Sequence, residues 1–378
     1  MKKFIGVLIL VSVILLTLFG FKTILPRIQD EMLKRAEQSL QQAQKEEDEE
    51  LGKYDKIESL LELRDYVIEK REEEETEFSL LYKSDEYFDP MVVASAYGAT
   101  FVEVSTKGDV YTIKVAEFPG NRIVRAYKGG DISSLSADER EVLNIATEIV
   151  EDARAVSNDD WELELLLYEA VCKKVSYYTE DTWESSLESQ PRFVNVLGAF
   201  LDGKANCQGY TDAFYTLAGI AGFKVGRLSV DTEDLSHMVN TICLNGKWYV
   251  VDTTFADSEE FPVDYRLFNA GMDVIGEFWW EEEMESYPIA EETDPVQYYY
   301  YRNDLCYDDI EKMAQDVVNE WVTHGKTLQN VMLKNDPDKS DFLDALKERL
   351  SVLNLSYSLV VNSAYNEKNC SYYTVVFN

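Results

Sequence analysis

The chain has 378 residues, of which 46% are hydrophobic and 12% aromatic. That is enough apolar material for buried cores, and it excludes global disorder, a collagen and a disulfide-dense miniature scaffold. At roughly 150 residues per domain the length allows two or three domains. Lys and Arg number 36 against 71 Asp and Glu, which gives a net charge of −35. A surface this acidic repels phosphate backbones, so we expect no nucleic-acid partner.

The N-terminus predicts a single membrane anchor. Two lysines are followed by an apolar run over residues 4–21. At 1.5 Å per residue this run reaches about 27 Å, close to the thickness of a bilayer core. A cleaved signal peptide is the alternative, but no A-x-A-like site follows the run. We therefore expect residues 1–3 to be a cytoplasmic tail, and the bulk of the chain to be extracellular at the cell membrane.

Residues 22–53 predict a helical stalk, because apolar side chains recur there at every fourth position (Ile28, Met32, Ala36, Leu40). Residues 54–130 then predict a small α/β module in the order α-β-α-β-β. Its predicted elements are a helix over 54–73, a strand over 78–82, a helix over 89–99, and hairpin strands over 100–104 and 109–115.

The last part of the chain, 297–378, predicts a second small α/β module. The string Tyr307-Asp308-Asp309-Ile310-Glu311 echoes Tyr54-Asp55-Lys56-Ile57-Glu58. A helix over 339–352 and strands near 355–361 and 371–377 follow in the same order. We interpret the segment as a repeat of 54–130, with chance similarity as the alternative. The run Tyr298–Tyr301 is interpreted as a half-buried strand.

The segment 136–290 predicts a central domain. It opens with a capping box at Ser136 and Glu139, and an amphipathic helix follows. A second helix is predicted from about Trp161 to Val175. Both helices have a core-facing pattern, so they say little about function.

One cysteine of this domain has the surroundings of a nucleophile. Cys207 immediately precedes an apolar helical run, and unsatisfied amides with the helix dipole favour a thiolate at such a helix start. Gly209 permits close packing beside the sulfur. The other cysteines follow the usual pattern of a small buried hydrophobe, and no C-x-x-C spacing suggests a disulfide framework (Cys172, Cys243, Cys306, Cys370).

Three strands are predicted after the Cys207 helix, and two of them carry the partners that a thiol nucleophile needs. His237 begins the second strand, Asn245-Gly246 makes a hairpin turn, and Asp252 ends the third strand. His237 would accept the thiol proton, and Asp252 would orient the imidazole. An isolated histidine or strand-ending aspartate is usually structural; the three residues in this order weaken that interpretation.

This block resembles the transglutaminase-like domain of the papain-like cysteine-enzyme superfamily. Bacterial members show G-x-x-x-C-x-G-Y, then H-A-W-N, then G-x-W-Y-x-V-D-x-T-W; here 203–210, 237–240 and 246–255 occupy these places. The resemblance covers roughly residues 160–260. It implies that Cys207 is the nucleophile, His237 the base and Asp252 the orienting acid.

The resemblance also implies an α+β fold with a papain/transglutaminase-like core: a helix carrying the cysteine, packed on an antiparallel sheet and flanked here by the two small α/β modules. The candidates for the substrate cleft are Gly209, Tyr210, Met238 and Trp248. Met238-Val239 replaces the family's Ala-Trp pair, and Phe255 replaces its final Trp. The Cys207 backbone N–H is the one oxyanion donor that the sequence assigns.

We therefore expect an extracytoplasmic cysteine acyltransferase that acts through a thioester on peptide or protein amides at the cell surface or in the cell wall. Water as acceptor would make it a protease or amidase, and an amine would make it a transglutaminase. The alternative is a non-catalytic surface binding or scaffold protein with a vestigial site. No metal or organic cofactor is expected, because only two histidines are present.

Overall fold

The structure is a computed structural model. It describes residues 15, 30–35, 37–42, 44–46, 49–179, 190–231, 236–257, 263–275, 289–290, 292–334, 339–353, 357–366 and 370–377. The described positions between 30 and 51 are helical, in keeping with the predicted stalk. Within these ranges no helix is both long and apolar enough to cross a bilayer. The predicted anchor at 4–21 lies outside them apart from Leu15.

Two compact units make up the chain. The smaller comprises residues 1–57, 79–83 and 106–111, and the larger comprises 58–78, 84–105 and 112–378. The segment 54–130 thus contributes to both units, whereas 136–290 and 297–378 lie within the larger one.

The α-helices of the described residues are, in chain order, α1 (Leu60–Glu72), α2 (Pro90–Tyr97), α3 (Pro119–Gly129), α4 (Ala137–Val156), α5 (Asp160–Lys174), α6 (Cys207–Ala221), α7 (Thr253–Ala256), α8 (Met272–Ile275), α9 (Tyr299–Arg302), α10 (Ile310–His324) and α11 (Lys339–Ser351). The strands are β1 (Asp55–Ile57), β2 (Glu77–Tyr82), β3 (Ala99–Lys107), β4 (Val110–Glu117), β5 (Ser176–Tyr177), β6 (Lys204–Ala205), β7 (Lys224–Asp231), β8 (Ser236–Leu244), β9 (Lys247–Val251), β10 (Phe268–Ala270), β11 (Cys306–Tyr307), β12 (Leu328–Lys334), β13 (Leu359–Asn366) and β14 (Cys370–Phe377).

Strands β1 to β4 form one sheet in the order β1-β2-β4-β3, with β1 parallel to β2. The predicted helix over 54–73 is too long at its N-terminus. The first residues form β1 instead, and the helix begins after the side chain of Ser59, which accepts a hydrogen bond from the Glu62 N–H. The other predicted elements of this segment are present, and Gly108 forms the hairpin turn with φ +62°.

Strands β11 to β14 form a sheet in the corresponding order, β11-β12-β14-β13, with β11 parallel to β12. Both segments therefore run β-α-β-α-β-β. The repeat remains a proposal, which this shared topology supports. Two predicted details are wrong: the strand expected near 355–361 is Leu359–Asn366, and the tyrosine run forms the short helix α9 after Tyr298 rather than a strand.

The central sheet is antiparallel, in the order β10-β9-β8-β7. Helix α6 packs on it and is itself covered by α4 and α5, so that α6 is buried along most of its length. The capping box at Ser136 is present at the start of α4. Helix α2 covers the outer strand β7, and the Ser95 hydroxyl accepts a hydrogen bond from the Ser229 N–H at 2.8 Å. The edge of the sheet is thereby protected from pairing with another chain.

Candidate active site

Cys207 is the first residue of α6. The side chain of Asn206 caps the helix by accepting a hydrogen bond from the Gly209 N–H at 3.2 Å. The first amides of a helix have no partner within the helix, so those of Cys207 and Gln208 lie at the end where the sulfur is placed. Cys207 is partly exposed. A reagent can therefore reach the thiol beside a helix end that favours negative charge.

The short strand β6 leads directly into this helix. It pairs in parallel with β5, with Tyr177 opposite Ala205. A Cβ atom on Gly209 would lie 2.5 Å from the Phe193 carbonyl oxygen and 2.7 Å from the Ala205 Cβ. Glycine is therefore required for α6 to approach the segment before it. Its role is packing of the helix start rather than lining of a cleft.

The sheet places His237 and Asp252 on one face. In the β8–β9 register Asn240 pairs with Val251. The next residue, Asp252, therefore lies opposite Val239. Val239 is two residues from His237, so the side chains of His237 and Asp252 project from the same face of the sheet. The Nε2 atom of His237 is 2.8 Å from the Asp252 Oδ2 atom.

Hydrogen bonds fix helix α6 against strand β8. The Thr211 hydroxyl donates to the Met238 carbonyl at 2.8 Å. The buried amide of Asn240 donates to the carbonyls of Thr211 and Gly226, both at 3.1 Å. These bonds fix the N-terminal part of α6, which begins with Cys207, against the part of β8 that follows His237.

His237 is directly bonded to one of its predicted partners and is influenced by the other. Its ring is hydrogen-bonded to Asp252. Burial disfavours the imidazolium, but Asp252 and the Cys207 side chain outweigh burial and raise the pKa of His237 to about 10. The arrangement therefore favours a protonated His237 beside the Asp252 carboxylate.

Asp252 is held rigidly. It is almost fully buried and is the N-cap of α7, where its Oδ1 atom accepts hydrogen bonds from the Thr254 and Phe255 amides, both at 2.9 Å. One carboxylate oxygen is thus fixed by the backbone, and the other is left to orient His237. An aspartate at the end of a strand is usually a turn former, but Asp252 both caps a helix and bonds to His237.

A buried ion pair lies farther along α6. Arg227 Nη2 donates to the Asp212 carboxylate, which also accepts the amides of Val196 at 2.9 Å and Gly120 at 3.2 Å. Arg227 Nη1 donates to Asn121 Oδ1 at 2.6 Å. This network joins helix α6 to β7, to α3 and to the loop before the helix.

Three of the four cleft candidates do not line an open cleft. Tyr210 is fully buried, and its hydroxyl donates to the Val175 carbonyl at 2.9 Å and is bonded to Asp257. Met238 is buried as well, and Gly209 serves the packing already described. Trp248 is partly exposed, but it lies four residues before Asp252, about 13 Å along the strand.

The exposed aromatic rings near the triad belong to other residues. Tyr177 is 49% exposed and lies on β5 beside the start of α6. Phe255 is 38% exposed, follows the cap of α7, and stacks under the Arg266 guanidinium at 4.5 Å. Sequence patterns missed Tyr177 because a two-residue strand has no periodicity. The departure at Phe255 was visible in the third motif.

Of the remaining cysteines only Cys172 is buried as predicted, whereas Cys243, Cys306 and Cys370 are partly exposed. Cys172 is buried, and burial raises the pKa of its thiol strongly. Burial also raises the pKa of Cys306 to about 11. In the part of the chain that the structure describes, no group of three or more acidic, cysteine or histidine side chains could hold a metal ion.

No protein-family model and no curated protein matches the chain. A solved transglutaminase is 10% identical, with a TM-score of 0.28, over 48% of this chain and 52% of its own. A candidate cysteine protease from Cytophaga hutchinsonii is 10% identical, with a TM-score of 0.26, over 41% and 61% of the two chains. The periplasmic domain of TgpA from Pseudomonas aeruginosa, bound to ethylmercury, is 13% identical, with a TM-score of 0.26, over 41% and 59%.

These solved structures are transglutaminase-like proteins. Each match spans between 52% and 61% of the solved chain. At TM-scores this low the likeness carries no argument about chemistry, which depends on the geometry of the residues themselves.

Proposed function

We propose that the protein is a cysteine acyltransferase of the transglutaminase-like type, with Cys207 as nucleophile, His237 as proton carrier and Asp252 as orienting acid. The observation that carries the proposal is His237, whose Nε2 atom lies 2.8 Å from the Asp252 carboxylate and whose pKa is raised by Asp252 and by the Cys207 side chain. A thiol nucleophile, a base and a group that orients the base are the parts that nucleophilic catalysis requires.

The proposed reaction begins with the thiolate of Cys207 and a protonated His237. The sulfur attacks the carbonyl carbon of an amide, and the carbonyl electron pair moves to the oxygen. When the tetrahedral intermediate collapses, the C–N bond breaks and the leaving amine takes the proton of His237. Neutral His237 then accepts a proton from the incoming acceptor, which attacks the thioester and releases Cys207.

The acceptor decides between two activities of this one site. Water gives a protease or amidase, and the amine of a lysine side chain gives a transglutaminase. Both use the same thioester, so we propose peptide or protein amides as the substrate class for either outcome. Exclusion of water is what would favour the amine.

The test is formation of the thioester. Purified protein would be incubated with p-nitrophenyl acetate and its intact mass measured. One added acetyl group that is absent in Cys207→Ala supports the proposal. Casein hydrolysis and incorporation of monodansylcadaverine into casein would then separate the two acceptors. No mass increase in the wild type, or the same increase in Cys207→Ala, contradicts the proposal.

We also propose that residues 4–21 anchor the enzyme in the cell membrane with the catalytic part outside, where surface or cell-wall proteins are the substrates. The support is the apolar run itself, with Lys2 and Lys3 on its N-terminal side. Protease treatment of intact cells tests the orientation. Loss of the catalytic domain with survival of a cytoplasmic marker is expected, and full protection of the domain would contradict it.

A further inference from the structure

Tyr177 lies next to the segment that leads into Cys207, because two short strands pair there. In the β5–β6 register it is opposite Ala205, two residues before Cys207. Its ring packs against the buried ring of Tyr210, with the centroids 6.4 Å apart, and half of the residue remains exposed. The ring thus packs against the protein interior while half of the residue stays open to solvent.

The hydroxyl of Tyr177 is an available hydrogen-bond donor. Among the described residues, none forms a hydrogen bond with it. Burial, followed by the negative charges of Cys207 and Asp252, raises the pKa of Tyr177. The phenol therefore keeps its proton across the range in which an enzyme operates, and it lies within electrostatic reach of two catalytic residues.

We propose that the Tyr177 hydroxyl is the side-chain donor to the oxyanion that forms when Cys207 attacks a carbonyl group. The inference rests on the proposed function and adds a residue that the sequence motifs do not contain. The other donor is the Cys207 backbone N–H at the start of α6, where helix amides are free.

The step is balanced without a further reactant. The S–C bond forms as the carbonyl electron pair moves to oxygen, and Tyr177 donates a hydrogen bond but keeps its proton. On collapse the electron pair returns, the leaving group departs, and the hydrogen bond is released. Tyr177 thus stabilises charge only while the tetrahedral intermediate exists, which is where a donor accelerates acyl transfer.

The test compares two reactions of the same sulfur. Acylation by p-nitrophenyl acetate passes through an oxyanion, whereas alkylation by iodoacetamide does not. Both rates would be measured on the purified full-length chain and on Tyr177→Phe, which keeps the ring and removes the hydroxyl. We expect acylation to slow by about 10- to 1000-fold while the alkylation rate stays within about twofold.

Tyr178→Phe is the matched control. This phenol is the next residue, and its ring stacks on Phe193 with centroids 3.9 Å apart. The acylation rate of Tyr178→Phe is expected to equal that of the wild type. Thermal unfolding of both variants would show whether either one has lost stability. Tyr177→Phe with unchanged acylation, or with acylation and alkylation reduced in parallel, overturns the inference. Absence of Cys207-dependent acylation in the wild type instead contradicts the proposed function, so the two failures are distinguishable.

Discussion

At the scale of single residues, Asp252 shows how a strand end becomes part of the candidate site. Its two carboxylate oxygens have separate tasks, since Oδ1 accepts two backbone amides and Oδ2 faces His237. The sequence motif predicted that Asp252 orients His237, because the family resemblance implies that role. The capping of α7 could not be predicted, because this four-residue helix is too short to leave a periodic pattern.

The change Asp252→Asn tests this division. The amide oxygen can still accept the backbone N–H groups of α7, but the –NH₂ group now faces His237 and removes the charge that favours its imidazolium. We expect acylation of Cys207 to fall about 100-fold or more, with little change in thermal stability.

The control for Asp252→Asn is Asp309→Asn, which alters another N-cap, where the carboxylate accepts the Lys312 amide at 2.7 Å. Equal rates in the two variants would contradict the role assigned to Asp252.

A second residue-scale prediction concerns Glu164, which is fully buried beside Asn269. The Asn269 amide donates to its Oε2 at 2.9 Å, while Glu164 Oε1 and Asn269 Oδ1 have no partner among the described residues. Burial raises the pKa of Glu164 to about 8, although Asn269 opposes the shift. A neutral acid can donate where a carboxylate can only accept.

The sign of the pH effect follows from this shift. The unfolded chain releases the Glu164 proton near pH 4.5 and the folded chain near pH 8. The stability from this group is therefore complete below pH 4.5 and is lost as the pH rises to 8. Glu164→Gln is expected to be more stable than the wild type at pH 8, by an amount on the order of 4 kcal/mol, and to show less loss between pH 5 and 8. Urea unfolding at pH 5 and at pH 8 measures the free energy of unfolding of both proteins. The prediction would be contradicted if that free energy changed by the same amount with pH in the wild type and in the variant.

At the scale of elements, helix α6 is fixed by more than its apolar face. Asp212 and Arg227 form a buried pair whose members also bond to Val196, Gly120 and Asn121. Removing one partner of such a pair leaves a charge in the interior, which is far more costly than the pair itself.

Arg227→Met should therefore destabilise the protein by about 3–5 kcal/mol, measured by urea unfolding. Lys347→Met is the control, because that lysine forms an exposed pair with Asp344 at 3.5 Å and should cost less than about 1 kcal/mol. Similar losses in the two variants would show that the buried pair does not fix the helix.

Local signals decided which elements could be predicted from the sequence. Helix α6 and the β8–β9 hairpin were predicted because Gly222 stops the helix and Asn245-Gly246 closes the turn, all three with positive φ. The tyrosine run was misassigned because aromatic residues favour strands in isolation. Here they form a core between helices and sheets, where tertiary contacts override that preference. Strands β5 and β6 are too short for a sequence pattern, so Tyr177 was missed with them.

At the scale of the larger unit, the C-terminal module has a core of its own but also packs against the central domain. Met332 and Tyr372 belong to the same buried cluster as the residues of α5 and α6. The hydroxyls of Tyr298 and Tyr372 are 3.2 Å apart, and Tyr298 also donates to the Arg266 carbonyl. The predicted boundary near 297 thus separates two cores that a shared buried cluster joins.

A chain that ends at residue 303 should accordingly lose cooperative unfolding, because it exposes this tyrosine cluster to water. Calorimetry on the full-length and shortened chains measures it. Tyr372→Phe is the mild control, since it removes one hydroxyl and keeps the ring. A shortened chain with the same transition temperature as the full chain would show that the C-terminal module is an independent domain.

The claim on which the account depends is that Cys207 and His237 form a reactive pair. The most direct measurement is the rate of Cys207 alkylation by iodoacetamide between pH 5 and 10, followed by peptide mapping, in the wild type and in His237→Ala. We expect rapid labelling well below the value of about 8.5 at which a free thiol ionises, and loss of that labelling in the variant. Labelling that rises only near pH 8.5 and is unchanged in His237→Ala would contradict the account.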